Sequence, residues 1–462
     1  VTSVLVEPAE RGQRPVFDTV LVANRGEIAL RVVRSCQEMG IRTVVVYSTA
    51  DSRSAAVLAA DEAVRIGPAA PRQSYLYAPP IIEAARATGA QAVHPGYGFL
   101  SEDPDFAEIC ARNGLVFIGP EPSAMRQLGD KSTARKIMTD AGLPVLPGTI
   151  DPVGNVGDLV NAANKIGLPL IIKAAAGGGG NGMAVVRDWA DLVPKFRSTR
   201  SVARSVFGDE RVYIERYLEN TRHIEVQILA DQHGNVVALG ERDCSVQRRH
   251  QKLIEESPAA RISPEIVDRL RELAVLGARE VGYTGAGTFE FLVQGEEIAF
   301  IEVNSRIQVE HPVTEMLTGV DLVREQVLIA AGRELSLRQQ DVRSNGAAIE
   351  CRVNAEDPDN GFVPRPGELL EFLPPGGPGI RVDTSAYAGW RIPAEYDSLV
   401  AKVIAWAPDR ERALARMNRA LREFRISGER VRTTRDALRA IIADPVFQEA
   451  RHTTSFLEPQ GP

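Results

Sequence analysis

The chain has 462 residues, 44% of them hydrophobic and 25% charged, with a net charge of −7. That length predicts about two to four domains with ordinary globular cores. The acidic balance argues against a general nucleic-acid binder, and no apolar run is long enough to span a membrane.

The N-terminus lacks the apolar core of a signal peptide, and residues 1–16 read as a loose extension. Cys36, Cys110, Cys244 and Cys351 are widely separated, which predicts neither a disulfide framework nor a metal-ligand spacing, and the expected compartment is the cytoplasm. From Phe17 the pattern is strand, helix, strand. An apolar run reaches Ala23, Ile28, Leu30, Val32 and Cys36 follow at helical spacing, Gly40 closes the helix, and Thr43 to Tyr47 is a buried-type strand. Helix–strand units at 80–93 and 106–118 extend the alternation, which predicts an open parallel sheet. Asn24-Arg25-Gly26-Glu27 lacks the glycine spacing of a dinucleotide loop. HPGYGFLSE (94–102) is expected at the carboxyl edge of the sheet, where ligands usually lie.

Asp130-Lys131 opens a helix that runs to Asp140, and a second helix covers 156–166. The strand Leu170 to Ala174 carries Lys173 and runs into glycines 177–180, Asn181 and Gly182, and the strand Met183 to Val186 follows. A P-loop needs a helix after the glycines. A hairpin with so bare a tip can instead lie on phosphates and offer backbone N–H groups. Lys131 and Lys173 would supply the charge that a triphosphate needs; the alternative is a plain surface hairpin. Val212 to Leu218 is expected as a strand leaving this module. His223 to Leu229 alternates cleanly, with 235–240 as its hairpin partner. Residues 241–252 (ERDCSVQRRHQK) pack Arg242, Arg248, Arg249, His250 and Lys252 together. In an acidic chain this reads either as a site for a compact anion or as a solvated charged loop. Ser263 caps a helix to Val281 with Pro264 at its first position.

Gly287 to Val293 is rich in strand formers, and Gln294-Gly295-Glu296 reads as a turn. The stretch 298–313 (IAFIEVNSRIQVEHPV) has a period of two. Glu302, Asn304, Arg306, Gln308 and Glu310 fall on one set of positions, and Ile301, Val303, Ile307 and Val309 on the other. In a hairpin about that turn Glu290 lies opposite Glu302. Carboxylates roughly 5 Å apart repel unless something positive sits between them, and magnesium takes such ligands. An ordinary solvated strand face is the alternative. Leu322 to Ala331 is a helix closing at Gly332. A boundary is expected near 347, beyond which the chain is strand- and turn-rich, with helices over 410–424 and 434–443. The chain carries no lysine acceptor motif for a swinging prosthetic group, so any carried group would arrive on another domain or chain.

Across 17–457 these residues resemble biotin carboxylase, the ATP-grasp component of biotin-dependent carboxylases. The matching stretches are VLVANRGEIALRV, HPGYGFLSED, GDKSTA, IIKAAAGGGG, ERDCSVQRRHQK, GAGTFEF, EVNSRIQVEHPVTE, ECRVNAEDP and YDSL. The resemblance implies an α/β protein in three parts. These are an N-terminal parallel-sheet domain (17–130), an ATP-grasp domain (131–346) with a mobile glycine-loop lid at about 145–217, and a C-terminal mixed β/α domain (347–462). It implies that bicarbonate attacks the γ-phosphate of ATP to give carboxyphosphate, and that the CO₂ released is captured by a ureido nitrogen of biotin.

The same resemblance implies residue roles. Lys131, Lys173 and Gly177, Gly178, Gly179 and Gly180 fall where the family meets ATP phosphates. Glu215 and Leu218 fall at adenine, and His223, Gln247, His250 and Lys252 at further nucleotide contacts. Glu290, Glu302 and Asn304 match the ligands of magnesium or manganese. Arg306, Gln308 and Val309 match the bicarbonate pocket, Glu310 the general base, Arg352 the group facing the developing enolate of biotin, and Tyr97 a biotin contact. The implied partners are a biotin carboxyl carrier protein, a carboxyltransferase component and a second copy of the chain. The glycine loop departs from the family pattern, with Asn181 where arginine or lysine is usual and Ala176 where glycine is common, which implies either weaker phosphate contacts or altered closure. Rival readings are another ATP-grasp ligase joining a carboxylate to an amine, and a weakly active homologue serving as a scaffold.

Overall fold

The computed structural model describes residues 16–175, 182–249 and 251–458. The N-terminal layer contains strands β1 (Thr19–Val22), β2 (Arg42–Ser48), β3 (Glu62–Gly67), β4 (Ala92–His94) and β5 (Val116–Phe117). They form a parallel sheet in the order β3-β2-β1-β4-β5. β3 is an edge strand whose mixed residues, Glu62 and Arg65 among them, hide it from a search for apolar runs. The loop after β4 lies at the carboxyl edge of the sheet. Asn24, just past β1, donates from Nδ2 to the carbonyls of Pro95 (2.6 Å) and Tyr97 (2.8 Å). Gly96 has φ +62°, and a Cβ there would sit 2.8 Å from that amide, so the loop can close on Asn24 only with glycine at this place.

The next module is a three-stranded antiparallel sheet of β6 (Leu170–Ala174), β7 (Met183–Val186) and β8 (Val212–Arg216), in the order β7-β6-β8. Val212–Arg216 therefore closes this sheet against Leu170–Ala174, rather than leaving it as the sequence suggests. The helices Val156–Ile166 and Trp189–Phe207 share a separate core with it. The 19-residue helix buries Leu192, Phe196, Thr199 and Ala203 on one face; Pro194 and a row of serines and arginines blur that repeat in the sequence. The glycines 177–180, Ala176, Asn181 and His250 lie outside the described residues.

The site sits on an eight-stranded sheet. Its members are β9 (Arg222–Ala230), β10 (Val236–Arg248), β11 (Gln251–Ser257), β12 (Gly285–Gln294), β13 (Glu297–Asn304), β14 (Ala347–Asn354) and the strands Leu399–Ala407 and Ile380–Thr384. The order is β13-β12-β9-β10-β11-β14, then Leu399–Ala407 and Ile380–Thr384. The sheet runs unbroken through position 347, because β14 pairs antiparallel with β11. The N-terminal layer docks on it through a core in which Val20 and Val22 meet Leu229, Val237, Ile307 and Val327.

Two features differ from the sequence pattern. The basic run 241–252 is not a loop: it is the end of β10 and the start of β11, turned at Arg249 with φ +50°. Strand alternation therefore disperses its cations. Arg242 is fully buried, Lys252 points into the site, and Arg248 stacks over Phe362 and donates to the Gly361 carbonyl. The polar stripe starting at 302 keeps strand geometry only to Asn304, and His311–Thr318 is a helix with proline in its first turn.

Candidate active site

One row of side chains crosses four strands in register. Glu302 on β13 faces Glu290 on β12, Glu290 faces Glu225 on β9, and Glu225 faces Arg242 on β10. Three carboxylates side by side would repel, so the cations around them decide whether the row can exist. Arg242 is wholly buried, and all of its N–H groups find acceptors: Glu225, Gln227 (2.8 Å), Thr314 (2.9 Å), Thr288 (3.1 Å) and Gln308 (2.9 Å). Truncating such a residue would strand a buried carboxylate, which typically costs about 3–5 kcal/mol.

Lys252 is the hub. Its ammonium donates to Glu225 Oε2 (2.6 Å), Glu290 Oε1 (2.9 Å) and Glu310 Oε1 (2.6 Å). Burial opposes its charge, yet these carboxylates hold its pKa well above the ordinary lysine value. Glu290 Oε1 also accepts from Asn304 Nδ2 (2.8 Å) and Gln308 Nε2 (2.9 Å). Its other oxygen lies 2.9 Å from His223 Nε2. Burial works against a charged His223, and Glu290 outweighs it, so the imidazole pKa is raised.

Glu302 is in the opposite situation. Burial and then the charge of Glu290 raise its pKa, with Lys131 among the groups pulling it down. A divalent cation between Glu290 and Glu302 would remove that repulsion, and the oxygen-rich donor set suits a hard ion such as magnesium. The site therefore fits a metal on its own electrostatics.

Beyond Asn304 the chain becomes a loop that fans its side chains to different partners. Arg306 donates to Glu102 Oε2 (3.0 Å) and Asn304 Oδ1 (3.1 Å), and Ser305 N donates to Glu102 Oε1 (3.1 Å). Gln308 is clamped, its oxygen taking Arg242 and its amide donating to Glu290. The Val309 carbonyl accepts from Lys402 Nζ (2.8 Å), and Lys402 also pairs with Glu27 Oε1 (3.0 Å), to which Tyr97 donates its hydroxyl. Glu310 accepts from Lys252 at one oxygen and from Arg352 (2.9 Å) at the other. Burial pushes the Glu310 pKa up, but Lys252, Arg352 and Arg242 hold it far below the usual carboxylate range, so Glu310 is ionised. Arg352 also binds Glu255 (Nε to Oε1, 2.6 Å).

The residues expected around a nucleotide are more spread out. Glu215 pairs with Lys173 and with Arg135 (2.6 Å). Burial favours its neutral form, but those two cations win and lower its pKa. Lys173 is thus held at Glu215 in this structure. Leu218 is buried with Leu146 and Ala299, and Leu292 packs beside them, a small apolar wall at the edge of the sheet. Lys131 opens the helix Lys131–Asp140, as the sequence predicts, and the Asp130 side chain caps it. Gln247 faces Lys252 across the β10–β11 pair.

Sequence reasoning missed Glu225, Arg242 as a buried partner, Glu255, Glu102 and Lys402. Part of the signal was present, since His223, Glu225 and Gln227 alternate along HIEVQIL as a polar face.

Residues 16–125, 130–338 and 350–459 match three families in turn. They are described as "Biotin carboxylase, N-terminal domain", "Carbamoyl-phosphate synthase L chain, ATP binding domain" and "Biotin carboxylase C-terminal domain". The chain is 50% identical to Biotin carboxylase 1 of Bacillus subtilis, over 95% of this chain and 98% of that protein. A crystal structure of the biotin carboxylase domain dimer of Hydrogenobacter thermophilus 2-oxoglutarate carboxylase, with MgADP, ADP and bicarbonate, superposes with a TM-score of 0.92. It shares 46% identity, over 96% of this chain and 97% of that one. The structure of Rhizobium etli pyruvate carboxylase superposes with a TM-score of 0.90 at 43% identity, over 96% of this chain and 40% of that longer one.

Proposed function

The chain belongs to the biotin carboxylase family, and we propose that the cluster around Lys252 is where it joins bicarbonate to biotin with ATP as phosphoryl donor. The enzyme is an ATP-dependent ligase of the ATP-grasp fold. The observation that carries the site assignment is the position of Lys252, whose one ammonium touches both Glu290 and Glu310. It joins the carboxylate suited to a metal to the carboxylate suited to act as a base.

Glu290 and Glu302, with Asn304 beside them, would hold magnesium or manganese, which neutralises charge on the transferring phosphoryl group when bound. The chain's own groups do the rest. Glu310, ionised in place, takes the bicarbonate proton. Arg306 and Gln308, with the Val309 backbone, line the bicarbonate pocket. A guanidinium suits so flat an anion, and the tie of Arg306 to Glu102 fixes that fork before substrate arrives. As negative charge builds on the phosphates, Lys252 would share itself with them. Its grip on Glu310 would then loosen, making that carboxylate a better base when one is needed. Arg352 faces the charge that develops on the ureido oxygen of biotin, and Tyr97 flanks that end of the site. Lys131, Lys173, Glu215, Leu218, His223 and Gln247 are the nucleotide side of the same reading.

The partners that fit this reading are a biotin carboxyl carrier protein, a carboxyltransferase component and a second copy of the chain. The relatives include a pyruvate carboxylase and a 2-oxoglutarate carboxylase, so the same module serves enzymes named for different acceptors. The division at 130/131 and 346/347 is part of this reading, as is a lid at about 145–217. All four cysteines are free and buried, which fits the cytoplasm, and among the described residues no helix is long and apolar enough to cross a membrane.

The test is steady-state ATP hydrolysis with bicarbonate and free biotin varied separately. Turnover that needs both supports the reading. Turnover stimulated by an amine instead would overturn it.

A further inference from the structure

Glu255 on β11 and Glu350 on β14 stand directly opposite each other, and both are fully buried. Arg352 is two residues along the same face of β14, and its contacts go to Glu255 Oε1 and Glu310 Oε2. Lys402, directly across from Arg352 on the next strand, gives its hydrogen bonds to the Val309 carbonyl and Glu27. The helix His311–Thr318, packed on the same strand, brings Val313 and Leu317 against Ala348 and Ile404. Among the described residues no donor reaches either oxygen of Glu350, nor Oε2 of Glu255.

We propose that Glu350 carries a proton and donates it to Glu255 Oε2. Glu350 is then a positioning residue that fixes Glu255 against Arg352 and limits the negative charge around that guanidinium. The physical reason lies in the register. Residues opposed across a strand pair have Cβ atoms roughly 5 Å apart, so two glutamate carboxyls there come within reach of one shared hydrogen bond. Two of them in a dry site do not both stay ionised when the cations nearby are already engaged. One shared proton supplies an O–H donor on Glu350 and satisfies the lone acceptor on Glu255.

The charged groups facing Glu350 are Lys402, Glu255, Arg352 and Glu310. Burial raises its pKa well above the carboxylate range, Lys402 opposes that, and Glu255 adds to it. Burial likewise pushes Glu255 up to about 7, against the pull of Arg352. The pair therefore shares its proton, and the titration belongs to both members.

The consequence is directional. With the proton in place Arg352 faces two carboxylates, Glu255 and Glu310. Loss of the proton adds a third negative charge beside it. That weakens its attraction for bicarbonate and for the charge that forms on biotin, so activity falls as the dyad titrates on the alkaline side.

The test is the pH profile of kcat/KM for bicarbonate in Glu350→Gln, which keeps a neutral donor at the same reach. Activity at neutral pH should stay within about threefold of the parent, and the alkaline limb should move up by about one pH unit or more. An unmoved limb, or a loss above about tenfold at every pH with unchanged thermal stability, overturns the proposal. If the variant does not fold, infrared spectra of the ¹³C-glutamate-labelled parent decide. A protonated-carboxyl stretch present at about pH 7, retained when magnesium is added to ionise Glu302, and lost on alkaline titration supports the dyad, and no such band refutes it. The kinetic arm rests on the biotin carboxylase reading, whereas the infrared arm needs no turnover, so the two can fail separately.

Discussion

Replacing Lys252 with methionine should do more damage than loss of one surface cation. Its side chain is nearly enclosed, 13% exposed, and all three ammonium hydrogens point at carboxylates. Removing the cation leaves Glu225, Glu290 and Glu310 facing one another, with Arg242, Arg352 and His223 as the remaining counter-charges. Breaking a buried pair of this kind costs about 3–5 kcal/mol, and some of it is recovered when one carboxylate takes up a proton. Glu310 is one of the groups that would do so, since Lys252 is the strongest of the cations holding it ionised. A base that is protonated at neutral pH cannot accept the bicarbonate proton. A net loss of about 3 kcal/mol in transition-state stabilisation corresponds to roughly a hundredfold or more in kcat/KM. The assay is bicarbonate- and biotin-dependent ATP hydrolysis. Lys252→Arg is the sharper variant, because a planar fork cannot serve three oxygens that converge on one nitrogen. It should fall below about a tenth of parental activity by the same reasoning. Near-normal turnover in Lys252→Arg would refute the idea that convergence, rather than charge alone, matters here.

Other consequences concern separate parts of the cluster. Glu310→Gln should lose roughly a hundredfold or more in bicarbonate-dependent ATP cleavage. The stability that ionised Glu310 contributes is fully present above the unfolded carboxylate value of about 4.5 and is lost as pH falls through its depressed folded value. The thermal-midpoint gap between parent and Glu310→Gln should therefore close as pH falls below about 4.5; a gap already closed at about pH 6 would contradict the low pKa. Glu302→Gln removes one of two opposed carboxylates, so metal-free protein should melt no lower than the parent while magnesium affinity drops about tenfold or more; calorimetry reads both, and tight magnesium binding by the variant would remove Glu302 from the metal site. Lys402→Met strands Glu27 and frees the Val309 carbonyl, at a cost of about 3–5 kcal/mol in stability, and a thermal midpoint within about 1 °C of the parent would count against it.

The sequence made the hairpin of β12 and β13 legible because one hairpin is a local object. A turn at 294–296 sets the register, and the register puts Glu290 opposite Glu302. A bicarbonate pocket at Arg306 to Glu310 is more easily built from a loop than from a flat strand, so the resemblance implies that regular pairing ends past Asn304; it does, although the period of two runs on to Glu310. The rest depended on which strands become neighbours. β12 lies against β9, not against the strands adjacent to it in sequence beyond the hairpin, and β11 lies against β14. Alternation says that Glu225 and Glu255 share a face with other polar residues but not which cation each will meet. Lys252 shows the limit most clearly. Its sequence neighbours are cations, which suggests an anion site, yet the carboxylates it binds come from β9, β12 and the loop after β13. Arg242 shows the converse, since a residue that reads as surface charge is the buried centre of a hydrogen-bonded core.

One cluster that couples ATP cleavage to carboxylation of biotin is the central claim. Transfer of label from ¹³C-bicarbonate to biotin, followed alongside ADP release, tests it most directly. Carboxybiotin should appear only with ATP and magnesium, in step with biotin-dependent ADP release, and Glu310→Gln should stop both. ADP release that proceeds at full rate without label reaching biotin would contradict it.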